Sequence, residues 1–284
     1  KGGVNGTLLA KKYNFNISTT DYKKVIQDKD INLVFITTRH DKHSKFVVEC
    51  LKHQKHVFVE KPLALDNKEL DNVNKAYEKS SKTINVGFNR RFSPHSIYIK
   101  KFLDNSPISV IATMNAGIIP SDVWVHDMKI GGGRIIGEAC HFIDLISFFT
   151  GSKISSVCMN SIGINPMENT DNCSIFLKYE NGSIGTINYF SNGSKKYQKE
   201  RIEIYSQERT AVIDNFKKTT GFGFKNFKNL KTKIDKGHYN QFKLLIEQLN
   251  NGGSSLITFD EIFNTSKASI AAVESLKIKS WVNI

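Results

Sequence analysis

The stretch His56-Val57-Phe58-Val59-Glu60-Lys61-Pro62 decides the fold. A short β-rich run ends in a carboxylate, an ammonium and a proline, which reads as the carboxyl end of a parallel strand, the place where open α/β sheets put their ligands. Upstream, Leu33-Val34-Phe35-Ile36 is wholly apolar, as expected of a strand buried on both faces. Between the two runs, residues 44–52 place Phe46, Val47, Cys50 and Leu51 on one side of a helix. Downstream, a helix over 67–80 and a strand over 83–87 continue the alternation. Such alternation predicts a parallel sheet with right-handed crossovers. Residues 4–13 and 20–28 also read as helices, the second capped by Thr19 or Thr20.

After Pro94 the pattern changes. A helix over 95–103 leads to a strand over 108–116, and a loop carrying Trp124 and His126 follows. Residues 154–216 read as successive strands, with turns at Asn181-Gly182 and Asn192-Gly193. Helices over 239–250 and 260–275 close the chain. The expected fold is α/β plus α+β: a partial Rossmann-type parallel sheet, then a mainly antiparallel sheet with helices on one face. The corresponding domains are 1–93 and 94–284.

A second segment carries chemistry. In Gly131-Gly132-Gly133-Arg134-Ile135-Ile136-Gly137-Glu138-Ala139-Cys140-His141-Phe142-Ile143-Asp144, a glycine turn opens an amphipathic helix bearing a histidine. A lysine at a strand end and a helical histidine together suit the proton that accompanies hydride transfer. With Ile31–His43 and Asn85–Arg91, these segments resemble, in order, the Gfo/Idh/MocA family of nicotinamide-dependent sugar dehydrogenases. The Gly-Arg-Ile-Ile-Gly-Glu variant looks most like the C-terminal half of bacterial two-part oxidoreductases associated with polysaccharide synthesis.

The resemblance implies an NAD- or NADP-dependent oxidoreductase acting on a sugar or nucleotide sugar. It implies Lys61 as the hydrogen-bond donor to the reacting oxygen and His141 as general acid/base. Thr37, Thr38, His40, His43, Glu60, Lys61 and Asn89 are the expected cofactor contacts. Lys61, Trp124, Glu138 and His141 are the expected substrate contacts. Many members carry an aspartate four residues before the histidine, and Gly137 stands there. Glu138 or Asp144 then orients the imidazole, or Asp144 supports the fold. No G-x-G-x-x-G turn follows a strand, so the chain is expected to start after the first βαβ unit and to bind the dinucleotide poorly alone.

Composition narrows the alternatives. The 284 residues suffice for two domains, and no apolar run approaches the roughly 20 residues of a membrane helix. Cys50, Cys140, Cys158 and Cys173 show no pairing motif, which favours reduced thiols in the cytoplasm. His40-x-x-His43 lacks further ligands, so no metal is expected. The net charge of +13 is densest over 216–236, where lysines alternate with Phe222, Phe224 and Phe227. That pattern suits either an RNA-binding surface or a solvated edge strand and loop, and no RNA-binding signature supports the former. A non-catalytic sugar- or nucleotide-binding module of the same fold is the other alternative. A homo-oligomer formed through the C-terminal sheet is also compatible with this fold.

Overall fold

The computed structural model describes residues 3–284. Helices α1 (Val4–Lys12) and α2 (Tyr22–Gln27) precede β1 (Leu33–Ile36), α3 (His43–Lys52), β2 (His56–Val59), α4 (Asn67–Glu78) and β3 (Ile84–Val86). The strands pair in parallel in the order β1-β2-β3, with Val57 in register between Val34 and Ile84. Val47, Cys50 and Leu51 of α3 and Leu70 and Val73 of α4 recur at helical spacing and are buried.

Two details depart from the sequence expectation. Asp21, not a threonine, caps α2, because its carboxylate reaches the Lys23 amide at 3.0 Å. Strand β1 lies at a sheet edge, so Phe35 is 46% exposed and leans on Phe58 and Phe242 instead of being enclosed.

The second sheet begins after α5 (Pro94–Lys100), whose first turn combines a Ser93 cap with Pro94. It contains β4 (Ser109–Asn115), β5 (Ile154–Ser161), β6 (Asn172–Tyr179), β7 (Ile184–Phe190), β8 (Glu200–Ser206), β9 (Arg209–Asp214), β10 (Lys218–Phe222), β11 (Leu230–Lys231) and β12 (Val282–Asn283). The order is β11-β10-β9-β8-β4-β7-β6-β5-β12, antiparallel except between β4 and β7. Helix α6 (Cys140–Thr150) runs between β4 and β5, while α7 (His238–Asn250) and α8 (Phe259–Ile278) follow β11. Period-2 alternation sends Ile175, Leu177, Ile187, Tyr189, Ile202 and Ile204 into the core, and leaves Phe176, Ile184, Phe190 and Tyr205 on the outer face. The lysine-rich stretch forms the β10–β11 edge. Its Phe224 and Phe227 pack on Tyr98 and Phe102, so they do not form an open stacking platform.

The last two helices return to the first sheet. Gln241 of α7 donates to the Val86 carbonyl at 2.9 Å, and Phe259 of α8 stacks on Tyr77 at 4.0 Å. A division at residue 93 is therefore bridged by the chain's own C-terminal third.

The turn Asn89–Phe92, which leaves β3, is the main tie between the two sheets. Arg90 makes a bidentate pair with Glu200 of β8, at 2.9 and 3.0 Å. Arg91 does the same with Asp144 of α6, at 3.0 and 2.7 Å, and reaches Glu261 of α8 at 3.2 Å. All of these side chains except Glu261 are almost wholly buried. Removing one partner of such a pair strands the other charge in a dry interior. Arg91→Ala is expected to cost about 3–5 kcal/mol of folding stability, measured by urea unfolding. A loss below about 1 kcal/mol, the range of surface pairs, would contradict this account of the tie.

Candidate active site

Strand β2 delivers Lys61 to the carboxyl edge of the parallel sheet, where its Nζ donates to the Gly137 carbonyl at 2.7 Å. Gly137 lies in a π-helical turn, Ile135–Ala139, that leads into α6. Such wide turns recur at functional sites. The preceding glycines are dictated by close approach. A β-carbon on Gly131 would lie 2.5 Å from the Val125 backbone, and one on Gly132, at φ +70°, would lie 2.6 Å from Leu65. The glycine run therefore lets the Trp124–His126 turn and the Leu65 segment press against the start of the π turn.

His141 stands one helical turn after Gly137. It is buried, and among the described residues its Nδ1 has no hydrogen-bond partner. Burial drives its pKa well below the ordinary imidazole value, and the charges of Arg90, Lys61, His238 and Lys236 act in the same direction. The ring is thus neutral at pH 7 and able to accept a proton. Neither expected carboxylate orients it. Asp144 is fully committed to Arg91, and Glu138 turns to Arg134, at 3.1 Å, and to the Tyr189 hydroxyl. Burial raises the Glu138 pKa, but Tyr189, Arg134 and Lys61 outweigh it and hold the group below the usual carboxylate range.

The expected cofactor contacts separate into two groups. Thr37 and Thr38 are exposed at the end of β1, and Glu60 is half-buried at the end of β2 with its carboxylate against Gly87. These three have hydroxyl, amide and carboxylate groups on the strand-end edge. His43 and Asn89 do not. Both ring nitrogens of His43 face backbone carbonyls, Pro62 at 2.8 Å and Thr38 at 3.0 Å, so it fastens the two strand ends together. Asn89 donates to the Lys236 carbonyl at 2.8 Å, holding the turn before α7. Both His43 nitrogens are thus already engaged within the chain. Among the described residues, no cluster of three or more His, Cys, Asp or Glu side chains is arranged to hold a metal ion.

His40 and Trp124 meet edge to face, with ring centroids 4.8 Å apart, and the Arg39 guanidinium lies over the indole. Sequence reasoning missed Tyr189, Arg134, Lys236 and His238. Arg134 left a local signal, its i,i+4 spacing from Glu138. A glycine-histidine pair opening α7, Gly237-His238, was a second readable clue.

Two family models match the chain: "Oxidoreductase family, NAD-binding Rossmann fold" over residues 5–88 and "GFO/IDH/MocA C-terminal domain" over 106–212. The chain belongs to the Gfo/Idh/MocA family of oxidoreductases. The Rossmann match starts at residue 5, so the expectation of a missing first βαβ unit finds no support in it. An uncharacterized oxidoreductase of Bacillus subtilis is 27% identical over 217 residues, 74% of this chain and 63% of its own length. A myo-inositol 2-dehydrogenase of Thermotoga maritima is 25% identical over 218 residues, 75% of this chain and 65% of its own length. The chain thus spans less than two thirds of these relatives. A scyllo-inositol 2-dehydrogenase (NAD(+)) of Bacillus subtilis is 22% identical over 286 residues, covering 95% and 82%. Among solved structures, a levoglucosan dehydrogenase in complex with NADH and levoglucosan superposes with a TM-score of 0.84 at 21% identity, covering 99% of this chain and 88% of that one. An NAD binding oxidoreductase from Klebsiella pneumoniae gives 0.84 at 18% identity, with the same two coverages. At such identities these two establish the fold of this family member.

Five imidazoles, those of His40, His56, His95, His141 and His238, are held below the usual value, each chiefly by burial. Below pH 6.5 the unfolded chain takes up protons that the folded one refuses, so these groups remove stability as pH falls. The thermal midpoint is expected to drop between pH 7 and pH 5, by scanning fluorimetry at constant ionic strength. A midpoint that rises on acidification would show that other groups govern the pH dependence.

Proposed function

We propose that this family member is an NAD-dependent dehydrogenase that oxidises a hydroxyl of an uncharged sugar or cyclic polyol. The observation that carries the reading is the buried, unpartnered Nδ1 of His141, one helical turn from the carbonyl that holds the Lys61 ammonium. A dry neutral base beside a fixed cation is what alcohol oxidation requires of a protein. The names of the similar dehydrogenases, for inositols and levoglucosan, support the substrate class. Those names contain no nucleotide sugar and no link to polysaccharide synthesis, and the cofactor they print is NAD(+) or NADH.

The strand-end edge fits a nicotinamide nucleotide. Exposed Thr37 and Thr38 provide hydroxyls and amides, and the Glu60 carboxylate suits a ribose diol. When bound, the nicotinamide supplies the hydride acceptor. Lys61 donates a hydrogen bond to the substrate oxygen, lowers the alcohol's pKa and stabilises the developing alkoxide. His141 accepts the hydroxyl proton as the C–H bond breaks, and desolvation keeps it unprotonated until then. Trp124 offers an aromatic face to the ring C–H groups of a sugar.

In NAD reduction assays with a panel of inositols and anhydrosugars, Lys61→Ala is expected to lower kcat by about a hundredfold or more, the scale of losing one transition-state donor. His141→Ala should cost a similar factor. Substrate affinity, read by calorimetry, should fall far less than turnover in both. Wild-type protein that binds these polyols without reducing NAD would instead identify a binding module.

A further inference from the structure

The site holds one more imidazole, that of His40, placed by features the proton-transfer reading does not use. Its Nδ1 lies 2.8 Å from the Gly131 carbonyl. A carbonyl oxygen only accepts, so Nδ1 carries the hydrogen and Nε2 presents a lone pair. Among the described residues, Nε2 has no hydrogen-bond partner, whereas both nitrogens of the neighbouring His43 are engaged. The His40 ring is fixed from three sides: by Gly131, by the edge contact with Trp124, and by Gly137. A β-carbon built on Gly137 would lie 3.0 Å from His40 Cε1 and 3.3 Å from Nδ1. The carbonyl of that same glycine receives Lys61. A side chain at position 137 and the His40 ring therefore compete for one volume beside the catalytic lysine.

Resting on the dehydrogenase reading above, we propose that His40 is a substrate-binding residue that Gly137 admits: its ring fills the volume next to Lys61, and its Nε2 accepts a hydrogen bond from a second hydroxyl of the polyol, adjacent to the one oxidised. Burial lowers the His40 pKa to about 4, with the Lys61 and His43 charges adding to the effect against the opposing Glu138 carboxylate and the Gly131 hydrogen bond. The ring is accordingly neutral across the physiological range. A neutral acceptor beside the Glu138 carboxylate selects a partner that donates, which a hydroxyl does and a phosphate dianion does not. The substrate class this favours is a vicinal diol within a ring, with Lys61 and His141 on one oxygen and His40 on the next.

Two measurements on the full chain test the halves of the proposal separately. The first is a thermal-denaturation cycle of His40→Ala, Gly137→Val and the double variant. The cycle cancels the helix preference of valine over glycine, leaving only the coupling between the two positions. Gly137→Val should lower the midpoint by at least about 3 °C more in the wild-type background than in the His40→Ala background. Equal shifts would refute the competition for one volume. The second is steady-state kinetics of His40→Ala and His40→Gln with a cyclic polyol. KM for the polyol should rise about tenfold, kcat should fall less than about threefold, and KM for NAD should stay within about twofold. A rise confined to KM for NAD would place His40 on the cofactor and overturn the assignment. So would an unchanged KM for a vicinal diol, or an equal loss when the neighbouring hydroxyl is replaced by hydrogen in a deoxy substrate. Wild-type protein inert toward every polyol would instead defeat the dehydrogenase reading, and the hydroxyl contact with it, while the denaturation cycle still decides the pairing of His40 with Gly137.

Discussion

Three consecutive side chains, Asn89, Arg90 and Arg91, form the main tie between the two halves of this molecule. Each leaves the same tight turn after β3 and reaches a different part of the second half of the chain: the loop at Lys236, strand β8 at Glu200, and helix α6 at Asp144. Two of the three are charge pairs that water cannot reach, so their geometry is demanding and departures from it are costly. Because Asp144 lies three residues after His141, the Arg91 pair fixes the roll of the helix that presents the histidine. Because Lys236 closes on Glu200 beside Arg90, the same turn also sets the entry to α7. The positions of Lys61 and His141 relative to each other follow from this arrangement.

Around that frame the site divides its charges by task. Burial, with the charges of Arg90, Lys61, His238 and Lys236 acting in the same direction, lowers the His141 pKa, while Glu138 is paired with Arg134 and steadied by Tyr189. Lys61 serves both sides, bonded to the Gly137 carbonyl and close enough to His141, His40 and Glu138 to act on all three.

The readable parts of this protein were those written locally. Period-2 runs gave the strands, and the alternation after residue 33 gave the parallel sheet. The strand end at Lys61 and the glycine-led helix at His141 named the two residues that the fold brings together. What escaped was set by partners distant in the chain. Asn89 looked like a cofactor ligand because it leaves a strand end, yet its partner is the carbonyl of residue 236. His43 looked open for the same reason, and the carbonyls that engage it lie on two separate loops. Tyr189 is an ordinary inward residue of an alternating strand until the π turn brings Glu138 above it. Gly137 looked like a missing carboxylate, and only three dimensions reveal the imidazole packed against it.

The π-helical turn at Ile135–Ala139 has a consequence for how this segment can change over time. A turn widened by one residue shifts the angular phase of the helix by about 100° relative to an uninterrupted α-helix. Arg134 and Glu138, before and within the widening, keep one phase, and His141 and Asp144 after it keep another. Single substitutions along the segment leave both phases intact, whereas a one-residue deletion would merge them and turn either Glu138 from Tyr189 or Asp144 from Arg91. The segment can therefore exchange side chains freely but not lengths, and ligand preference in this scaffold is open to drift by replacement while its spacing stays frozen.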